Sequence, residues 1–583
     1  MADLFENLDP DQAQAVRAIR GPVCIIAGAG TGKTRTITHR IAYAIQSGVT
    51  DPSKVLALTF TSKAAQEMRA RLNALGIPRV NARTFHSAAM RQLMYFWPTV
   101  VGSPFPQLLP NKSAALAEAI KLANLPFYPN AATIRDLAGE IEWAKVQELE
   151  PGEYVEKAIL NNRLYGDKSK IQNFSKAYHQ YESMKSESGV IDFDDLLVLT
   201  VGMIEEERSV RERIRDQYRY FTVDEYQDVS PLQQKLLNLW LGNRNEICVV
   251  GDAAQTIYSF SGATNNFLLS FGARYPEANI FRLNRGYRST PEIIRVATQI
   301  LDSGSTQYGH ELISKLDSGI KPTLTSNLSH EQEAESVARQ ISEYIDQGVH
   351  PTEIAVLART NYQLEIIDKK LVSQGVETDG ATTIAARDGE KFFERNDVRE
   401  AIRDIRVASV LSEEGSDWVS ELRGLLQPYS SARFHKSFLY LASQIVESEK
   451  EDGDRNPRSS LRTFLREIED RASQNNPPTY PGIHLGTIHS AKGLEWPIVF
   501  LVGVGDQFFP YQNPWLTTPL TETSTFAEAA DLIESSLSNV EPNARIEEER
   551  RLLYVGITRA QKLAHLSFVG NPSPFVAAWN KNN

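Results

Sequence analysis

The glycine-rich segment AGAGTGKT at residues 27–34 constrains this chain more than any other stretch. An apolar run at residues 23–26 precedes it and predicts a buried strand, and a helix-compatible segment begins near Lys33. A strand, a glycine-rich turn and a helix N-terminus form a cradle in which backbone N–H groups converge on a phosphate. Lys33 then supplies charge to the outer phosphates, and the Thr34 hydroxyl suits Mg²⁺. The pattern therefore predicts nucleotide binding.

The predicted phosphate contacts are Ala27, Gly28, Ala29, Gly30, Thr31, Gly32, Lys33 and Thr34. Ala27 stands where the strict pattern has glycine, so a glycine-rich turn without a nucleotide is the alternative.

Composition narrows the class of protein without deciding its function. At 583 residues the chain is too long for one core, and its 42% hydrophobic and 23% charged residues are typical of globular proteins. A net charge of −11 argues against a generally basic nucleic-acid binder but leaves room for a local basic or aromatic groove. Both cysteines, Cys24 and Cys248, lie in apolar runs and predict buried thiols rather than a zinc site. The first residues do not resemble a signal peptide, and no apolar run is long enough to span a bilayer, so we expect a cytoplasmic protein.

Alternating strand and helix patterns around the glycine-rich segment predict an α/β domain. Residues 8–16 predict a helix capped by Asp9, and Gln12 on it could pair with the edge of an adenine base. A second strand at residues 55–60 ends in Phe60, which fits either a ligand contact or the core. A third strand ends at residues 84–87, where we expect Phe85 to be a core residue.

Residues 89–190 have helical periodicity without clear strands and predict an all-helical insertion in this domain. The insertion ends at the sequence IDFDDLL, residues 191–197. Its three aspartates fit either a metal site or the capped start of a helix, and the flanking leucines favour the helix start.

Two later strands end in residues suited to phosphate chemistry. The first, at residues 220–223, is followed by Asp224, which can hold Mg²⁺ through water, and Glu225, which can accept a proton from the attacking water. The second, at residues 247–251, leads to Gln255, which can orient that water or sense the γ-phosphate. Tyr258 and Phe260 follow, and aromatic side chains of this kind stack on bases unless they belong to the core. Together with Lys33 and Thr34, these residues predict hydrolysis of a nucleoside triphosphate.

The motifs AGAGTGKT, LTFTSKAA, TFHS, VDEYQDVS and VVGDAAQTIYSFSGA resemble, in this order, those of the UvrD/Rep/PcrA family of superfamily 1 DNA helicases. The second half continues the series with LNRGYRST, VLARTN, GTIHSAKGLE and EERRLLYVGITRA, so the resemblance runs from about residue 8 to residue 568. It implies a DNA-dependent ATPase with ATP and Mg²⁺ as cofactors, moving 3′ to 5′ on single-stranded DNA and acting at single/double-strand junctions in repair or replication.

The resemblance implies a role for each matching residue. Gln12 would read adenine, and Tyr287 and Arg35 would pack on the base or ribose. The Mg·ATP and the attacking water would be held by Lys33, Thr34, Asp224, Glu225 and Gln255, with Thr34 and Asp224 at the metal. Arg288, Glu495 and Arg559 would complete the site from the second lobe. Single-stranded DNA would contact Phe60, Thr61, His86, Phe193, Tyr258, Phe260 and His489.

The predicted fold is α/β, with two RecA-like lobes of parallel sheet, each interrupted by a mainly helical insertion. Strands at residues 280–283, 354–357 and 498–502 predict the second lobe, which has no phosphate loop of its own. The predicted boundaries are 1–88 and 191–280 for lobe 1, 89–190 for its insertion, 281–378 and 479–583 for lobe 2, and 379–478 for a shortened insertion. A polar stretch at residues 521–543 predicts a surface excursion.

Besides the shortened insertion, the sequence departs from the family's motifs at two places. Ala253 and Ala254 replace residues that are usually acidic, and Phe260–Ser261 replaces Trp-Arg, which removes a cation from the expected DNA groove. A helicase is the leading hypothesis. A single-strand translocase that displaces proteins without productive unwinding, and a nucleotide-gated DNA-binding scaffold, are the alternatives. We expect no membrane association, possible contacts with accessory proteins, and a monomer or a DNA-induced dimer.

Overall fold

A computed structural model describes residues 4–109, 111–161, 163–304, 312–379, 392–412, 417–430, 432, 434–451, 459–473, 477–511, 542–576 and 579. The chain divides into two compact units, Met1–Gly319 with Gln512–Thr558 and Ile320–Tyr511 with Arg559–Asn583. Residues 521–541 of the predicted surface excursion lie outside the described residues. In the described part of the chain, no helix is both long enough and apolar enough to cross a lipid bilayer.

The strands of the described residues are β1 (Val23–Ala27), β2 (Val55–Thr59), β3 (Asn81–Thr84), β4 (Gln107–Leu108), β5 (Val190–Ile191), β6 (Tyr220–Val223), β7 (Ile247–Gly251), β8 (Asn279–Leu283), β9 (Arg285–Gly286), β10 (Ile313–Ser314), β11 (Thr323–Asn327), β12 (Ile354–Ala358), β13 (His484–Thr487), β14 (Trp496–Val502) and β15 (Ala560–Val569).

The α-helices are α1 (Pro10–Arg17), α2 (Lys33–Gln46), α3 (Ser62–Ala74), α4 (Phe85–Val100), α5 (Lys112–Leu122), α6 (Ala131–Val146), α7 (Pro151–Leu160), α8 (Lys168–Ser188), α9 (Asp195–Glu206), α10 (Arg208–Gln217), α11 (Pro231–Leu241), α12 (Asn266–Leu269), α13 (Phe271–Arg274), α14 (Pro291–Asp302), α15 (His330–Asp346), α16 (Asn361–Ser373), α17 (Asn396–Leu411), α18 (Trp418–Leu426), α19 (Phe434–Glu451), α20 (Leu461–Ser473) and α21 (Pro542–Ile557).

The first unit is built on a parallel six-stranded sheet in the order β3-β2-β6-β7-β1-β8. The side chains of successive residues in a strand point to opposite faces of the sheet, because they alternate with a period of two. Ile25 in β1 joins the core under α2 and α3, whereas its neighbour Cys24 joins the core under α4, α9 and α11. Both cysteines are free and buried, as predicted. The prediction of an α/β fold with parallel sheets is confirmed.

The strand predicted at residues 280–283 was expected in the second lobe, and this expectation is wrong. β8 pairs with β1 in parallel, with Leu283 opposite Ala27, and so completes the first sheet. Its pattern of apolar residues is that of any strand in a parallel sheet, and the pattern alone does not identify the partner strand.

Helices α5 to α8 form a separate helical core in which Leu116, Ile141, Tyr154 and Phe174 are buried. Helix α4 instead packs into the core of the sheet, so the predicted boundary at residue 89 falls inside this helix. Phe85 at its start is buried and stacks on Trp240 with ring centroids 6.0 Å apart, which fits the prediction of a core residue.

The second unit has a parallel five-stranded sheet in the order β11-β15-β14-β12-β13. Helices α15 and α16 cover one face through Val337, Ile341, Leu364 and Ile367. Helices α17 to α20 bury a separate core around Phe438 and belong to the segment that was predicted as a shortened helical insertion.

Candidate nucleotide and nucleic-acid site

The phosphate loop lies between β1 and α2, as the sequence predicts. Gly30 and Gly32 have positive φ angles of 71° and 81°, a backbone region that glycine adopts without strain. A Cβ atom added at Gly32 would lie 2.7 Å from Nε2 of Gln12, and one at Gly30 would lie 2.5 Å from Cβ of Arg288. These two positions therefore exclude larger residues. Ala27 is the last residue of β1 and is buried, so the departure from the strict glycine pattern lies in the strand.

Gln12 is fixed against the loop by both ends of its amide. Its Nε2 donates to the Thr31 carbonyl at 2.9 Å, and its Oε1 accepts from the backbone N–H of Asp9 at 3.2 Å. The Asp9 carboxylate accepts from the N–H of Gln12 and so caps α1, as predicted. A primary amide has two N–H donors and an oxygen with two lone pairs, so this anchoring leaves capacity for one further bond of each kind.

Tyr287 and Arg288 lie in the same compact unit as the phosphate loop. The Tyr287 N–H donates to the Gly30 carbonyl at 2.8 Å, and its hydroxyl donates to Oδ2 of Asp9 at 2.7 Å. Burial is the main cause that raises the pKa of Tyr287 to about 12, and the hydrogen bond to Asp9 contributes to the same shift. The expectation that Arg288 reaches the nucleotide from the opposite lobe is therefore wrong, because β8 belongs to the first sheet and returns the chain directly to the loop. Arg35 lies at the surface, where Nη1 donates to the Asn7 carbonyl at 3.4 Å.

The acidic pair follows β6 at the same sheet edge. Asp224 is buried, and burial together with the neighbouring Glu225 raises its pKa to about 7, while Lys33 acts in the opposite direction. A nearby cation stabilises the ionised form of a carboxylate in such surroundings. Mg²⁺ prefers oxygen ligands, and Asp224 and Thr34 both offer side-chain oxygen atoms. The residues present therefore fit a magnesium ion beside Lys33.

Glu225 has a φ of 52°, an unusual conformation for a residue with a side chain. Such strain costs about 1–3 kcal/mol and is common at functional sites. Its Oε2 accepts a hydrogen bond from Nε2 of Gln227 at 2.5 Å. Gln227 therefore helps to hold this carboxylate in place.

Gln227 and Asp252 connect the two predicted water-handling residues, and the motif analysis gave them no role. Oε1 of Gln227 accepts from the N–H of Asp252 at 3.0 Å, and Oδ2 of Asp252 accepts from Nε2 of Gln255 at 2.7 Å. The hydrogen bonds thus run Glu225–Gln227–Asp252–Gln255. Both missed residues lie inside matched motifs, but only the fold shows that the Gln227 side chain reaches the backbone of Asp252.

Four of the predicted DNA contacts of the first unit form two aromatic pairs. Phe60 stacks on Tyr258 with ring centroids 5.0 Å apart, and His86 stacks on Phe193 at 4.4 Å. Phe260 lies edge-on to Tyr258 at 6.1 Å. Phe60, Phe193 and Phe260 expose 40%, 52% and 54% of their surface, far more than core residues do. Thr61 caps α3, with its hydroxyl accepting from the N–H of Ala64 at 3.1 Å.

A cavity of about 130 Å³ is lined by two of these aromatic residues and by the acidic pair. Phe60 and His86 line one part of it, and Asp224 and Glu225 line another. Burial lowers the pKa of His86 to about 4, although Asp194 acts against this shift, so the imidazole is neutral at pH 7.

The aspartates at the end of the insertion form a buried ionic cluster. Asp192 and Asp195 accept each other's backbone N–H bonds, which fits the capped helix start rather than a metal site. Lys145 Nζ lies 2.9 Å from Asp192 and 2.6 Å from Asp195, and Lys185 Nζ contacts the same two carboxylates. Glu182 completes the cluster. These ammonium groups occupy the position that a metal ion would take among the three carboxylates.

The predicted residues of the second unit lie at opposite edges of its parallel sheet. Glu495 and Arg559 directly precede β14 and β15; Nη1 of Arg559 donates to the Leu494 carbonyl at 3.2 Å, and Glu495 accepts from Gln561 at 3.0 Å. His489 follows β13 at the carboxyl edge, where burial, Arg359 and Lys492 lower its pKa to about 3.

A parallel sheet that carries a phosphate loop after one strand and an acidic pair after another defines a P-loop nucleoside triphosphatase. Family models for the UvrD/REP helicase N-terminal domain and the UvrD-like helicase C-terminal domain match residues 8–276, and residues 281–412 with 435–571, respectively. The chain therefore belongs to the UvrD/Rep family of helicases. The predicted family, and with it the predicted class of enzyme, is confirmed.

Curated relatives of this chain align with it along nearly its whole length. The ATP-dependent DNA helicase UvrD2 of Mycobacterium tuberculosis is 39% identical over 98% of this chain and 80% of its own length. The ATP-dependent DNA helicase PcrA of Staphylococcus epidermidis is 26% identical, over 97% of this chain and 84% of its own. PcrA of Staphylococcus aureus is 25% identical over the same shares.

Replacing Lys145 with methionine should destabilise the first unit by about 3–5 kcal/mol, because Asp192 and Asp195 lose one of the two cations that contact them both. Burial alone would raise the pKa of Asp192, but Lys145, Lys112 and Lys185 hold it well below its usual range. The stability that this ionised carboxylate contributes is present at neutral pH and is lost in acid, so the difference between variant and wild type should shrink as the pH falls. Urea denaturation followed by circular dichroism measures both effects.

The matched control is Lys121→Met, which removes an exposed pair with Glu118 on the same insertion. It should cost about 0–1 kcal/mol, because solvent screens exposed pairs. Equal losses in the two variants would contradict a special role for the buried cluster.

Proposed function

We propose that this protein is an ATP-dependent DNA helicase that moves 3′ to 5′ along single-stranded DNA and unwinds duplex in DNA repair or replication. The observation that carries the proposal is the single sheet edge of the first unit. There the acidic pair shares a cavity with Phe60 and His86, which stack on Tyr258 and Phe193, and the phosphate loop follows β1 at the same edge. The names of the relatives UvrD2 and PcrA support ATP dependence and DNA as the substrate.

The nucleotide chemistry follows from the positions of the side chains. The loop Ala27–Gly32 and Lys33 would bind the phosphates of ATP, and Thr34 and Asp224 would hold Mg²⁺, which neutralises developing charge on the phosphates. Glu225 would accept the proton of the attacking water, with Gln255 orienting it. Gln12 would pair with adenine, next to Tyr287 and Arg35. From the first unit Arg288, and from the second Arg559 with Glu495, would complete the nucleotide site.

The aromatic residues at this edge suit bases that are unstacked from a duplex. Every base has a π face, so stacking grips a strand without reading its sequence and is worth about 1–3 kcal/mol per base. Phe60, His86, Phe193, Tyr258 and Phe260 would supply this grip. Thr61 in the first unit and His489 in the second are the remaining proposed DNA contacts. Hydrolysis would change the grip in each cycle and so move the strand.

The location, partners and assembly of the protein stay predictions. We propose a cytoplasmic enzyme that acts at single/double-strand junctions as a monomer or a DNA-induced dimer, with accessory proteins as further partners.

Lys33→Ala should abolish ATP binding and strand displacement, because the outer phosphates lose their fixed cation. Arg559→Ala should retain ATP binding and lose most turnover, since an arginine that contacts the transferred phosphoryl group contributes about 10³–10⁵ in rate. Nucleotide binding and steady-state hydrolysis with single-stranded DNA measure the two steps separately. Normal displacement by Lys33→Ala would contradict the proposed ATPase, and near wild-type turnover by Arg559→Ala would contradict its role alone.

Strand displacement on matched 3′-tailed, 5′-tailed and blunt duplexes tests polarity. We expect displacement of the 3′-tailed substrate only, with ATP hydrolysis rising in the same reactions. Displacement confined to the 5′-tailed substrate would reverse the proposed polarity. DNA-stimulated hydrolysis without any displacement would instead indicate a translocase that does not unwind.

His86 should bind DNA as a neutral aromatic ring, because burial lowers its pKa to about 4. His86→Phe should therefore retain most single-strand affinity, while His86→Ala should lose about 1–3 kcal/mol of stacking. The ratio of wild-type to His86→Phe affinity should stay constant between about pH 6 and pH 8, whereas a histidine with an ordinary pKa would gain charge below about 6.5. Fluorescence anisotropy with a labelled oligonucleotide measures these affinities. A wild-type advantage that grows in acid would show that a charged imidazole binds the strand.

A further inference from the structure

We propose that Arg163, in the helical insertion, is a positioning residue that fixes the backbone of Phe260 for base stacking. This inference rests on the proposed binding of single-stranded DNA. Nη2 of Arg163 donates to the Phe260 carbonyl at 3.2 Å, across 97 residues of sequence. The bond joins the insertion to the 3-10 helix Ser259–Ser261, which presents the aromatic side chain.

Arg163 is itself held in one orientation by its neighbours. Its Nε and Nη2 donate to the buried carboxylate of Glu140 at 2.7–3.2 Å, and that carboxylate also accepts from the Tyr154 hydroxyl at 2.8 Å. The guanidinium lies over the ring of Trp143, 4.8 Å from its centroid. A planar guanidinium paired in two places to a carboxylate loses little further entropy when it makes another hydrogen bond. The group is therefore preorganised before it meets Phe260.

A second close contact seats the same turn on the insertion. Gly262 has a φ of 91°, and a Cβ added there would lie 2.8 Å from Cγ1 of Val146 in α6. The N–H of Ser259 donates to Oε1 of Glu548 in α21 at 3.0 Å, which holds the other end of the turn. The backbone is thus fixed on both sides, while the Phe260 side chain stays 54% exposed.

The ion pair with Glu140 decides how Arg163 acts. Because the pair carries no net charge, Arg163 is poorly suited to neutralise a DNA phosphate. Its available contribution is geometric, since a stacking ring on a fixed backbone binds a base with less loss of entropy than a ring on a mobile turn. Arg163 therefore acts through Phe260 rather than on the strand.

The test compares Arg163→Met, Phe260→Ala and the double variant for single-strand affinity and for DNA-stimulated ATP hydrolysis. Arg163→Met should weaken affinity about tenfold, within the range that one stacked base contributes. The DNA concentration for half-maximal hydrolysis should rise by the same factor, with kcat at saturating DNA little changed. The double variant should bind no more weakly than Phe260→Ala, because residues that act as one unit are not additive.

Salt dependence separates positioning from direct phosphate binding. A lost phosphate contact would lower the slope of log K against log salt by about 0.7 for single strands. We expect an unchanged slope for Arg163→Met. A reduced slope, or losses that add to those of Phe260→Ala, would overturn the proposal in favour of direct DNA binding.

Two further variants keep the result interpretable. Arg163→Met leaves the buried Glu140 unpaired, so Arg163→Met/Glu140→Gln removes both charges and should show the same loss of affinity while unfolding at a temperature closer to wild type. Lys170→Met removes an exposed pair with Asp136 on the same insertion and should bind DNA within about twofold of wild type. Wild-type affinity in both Arg163 variants would overturn this inference alone. Absence of single-strand binding in the wild type would overturn it together with the proposed function.

Discussion

The parallel register of the six-stranded sheet is the constraint on which the candidate site depends. Neighbouring strands end within about two residues of one another: Thr59 of β2 pairs with Thr84 of β3, Ala27 of β1 pairs with Leu283 of β8, and Val223 of β6 pairs with Val249, two residues before the end of β7. Every chain segment that follows a strand therefore starts at one edge, where ligands bind in open α/β sheets. This edge brings together the phosphate loop, the acidic pair, Gln255, Tyr287 and the residues after β2 and β3. No single motif in the sequence encodes that arrangement.

The helical insertion is attached to this edge by buried polar groups, and their chemistry explains why the attachment is precise. Lys145 and Lys185 contact Asp192 and Asp195, which flank Phe193. Arg163 and Glu140 hold the turn that carries Phe260. Removing charges from water costs free energy that only good geometry recovers, so such groups favour one arrangement over near alternatives. An apolar contact of similar area tolerates sliding, because it is non-directional. The exposed aromatic residues Phe193 and Phe260 therefore lie on backbone segments whose positions the insertion fixes.

Sequence reasoning recovered the parts of this structure that depend on local pattern. The glycines at 30 and 32, the cap at Asp9 and the strands before Asp224 and Gln255 each follow from residues adjacent in the chain. It did not recover which sheet the strand at 279–283 joins, since that depends on a partner more than 250 residues away in sequence. The same limit explains the placement of Arg288. Gln227 and Asp252 were inside recognised motifs, yet their role lies in a hydrogen bond between two loops, which spacing does not encode.

Ser261 stands where the family has arginine, and its role in the structure differs from the simple loss of a cation that the sequence suggests. Loss of an arginine there predicts a weaker grip on the phosphates, but the Ser261 hydroxyl donates to the Tyr258 carbonyl at 3.0 Å and helps to close the turn. The nearest arginine that the turn contacts, Arg163, is neutralised by Glu140. On the proposed function, this part of the groove holds DNA by stacking rather than by charge. Stacking is largely independent of salt, whereas phosphate contacts release counterions and weaken as salt rises. The salt dependence of strand binding must then come from cations elsewhere on a chain whose net charge is −11, so the aromatic turn supplies a grip that persists when the electrostatic attraction is screened.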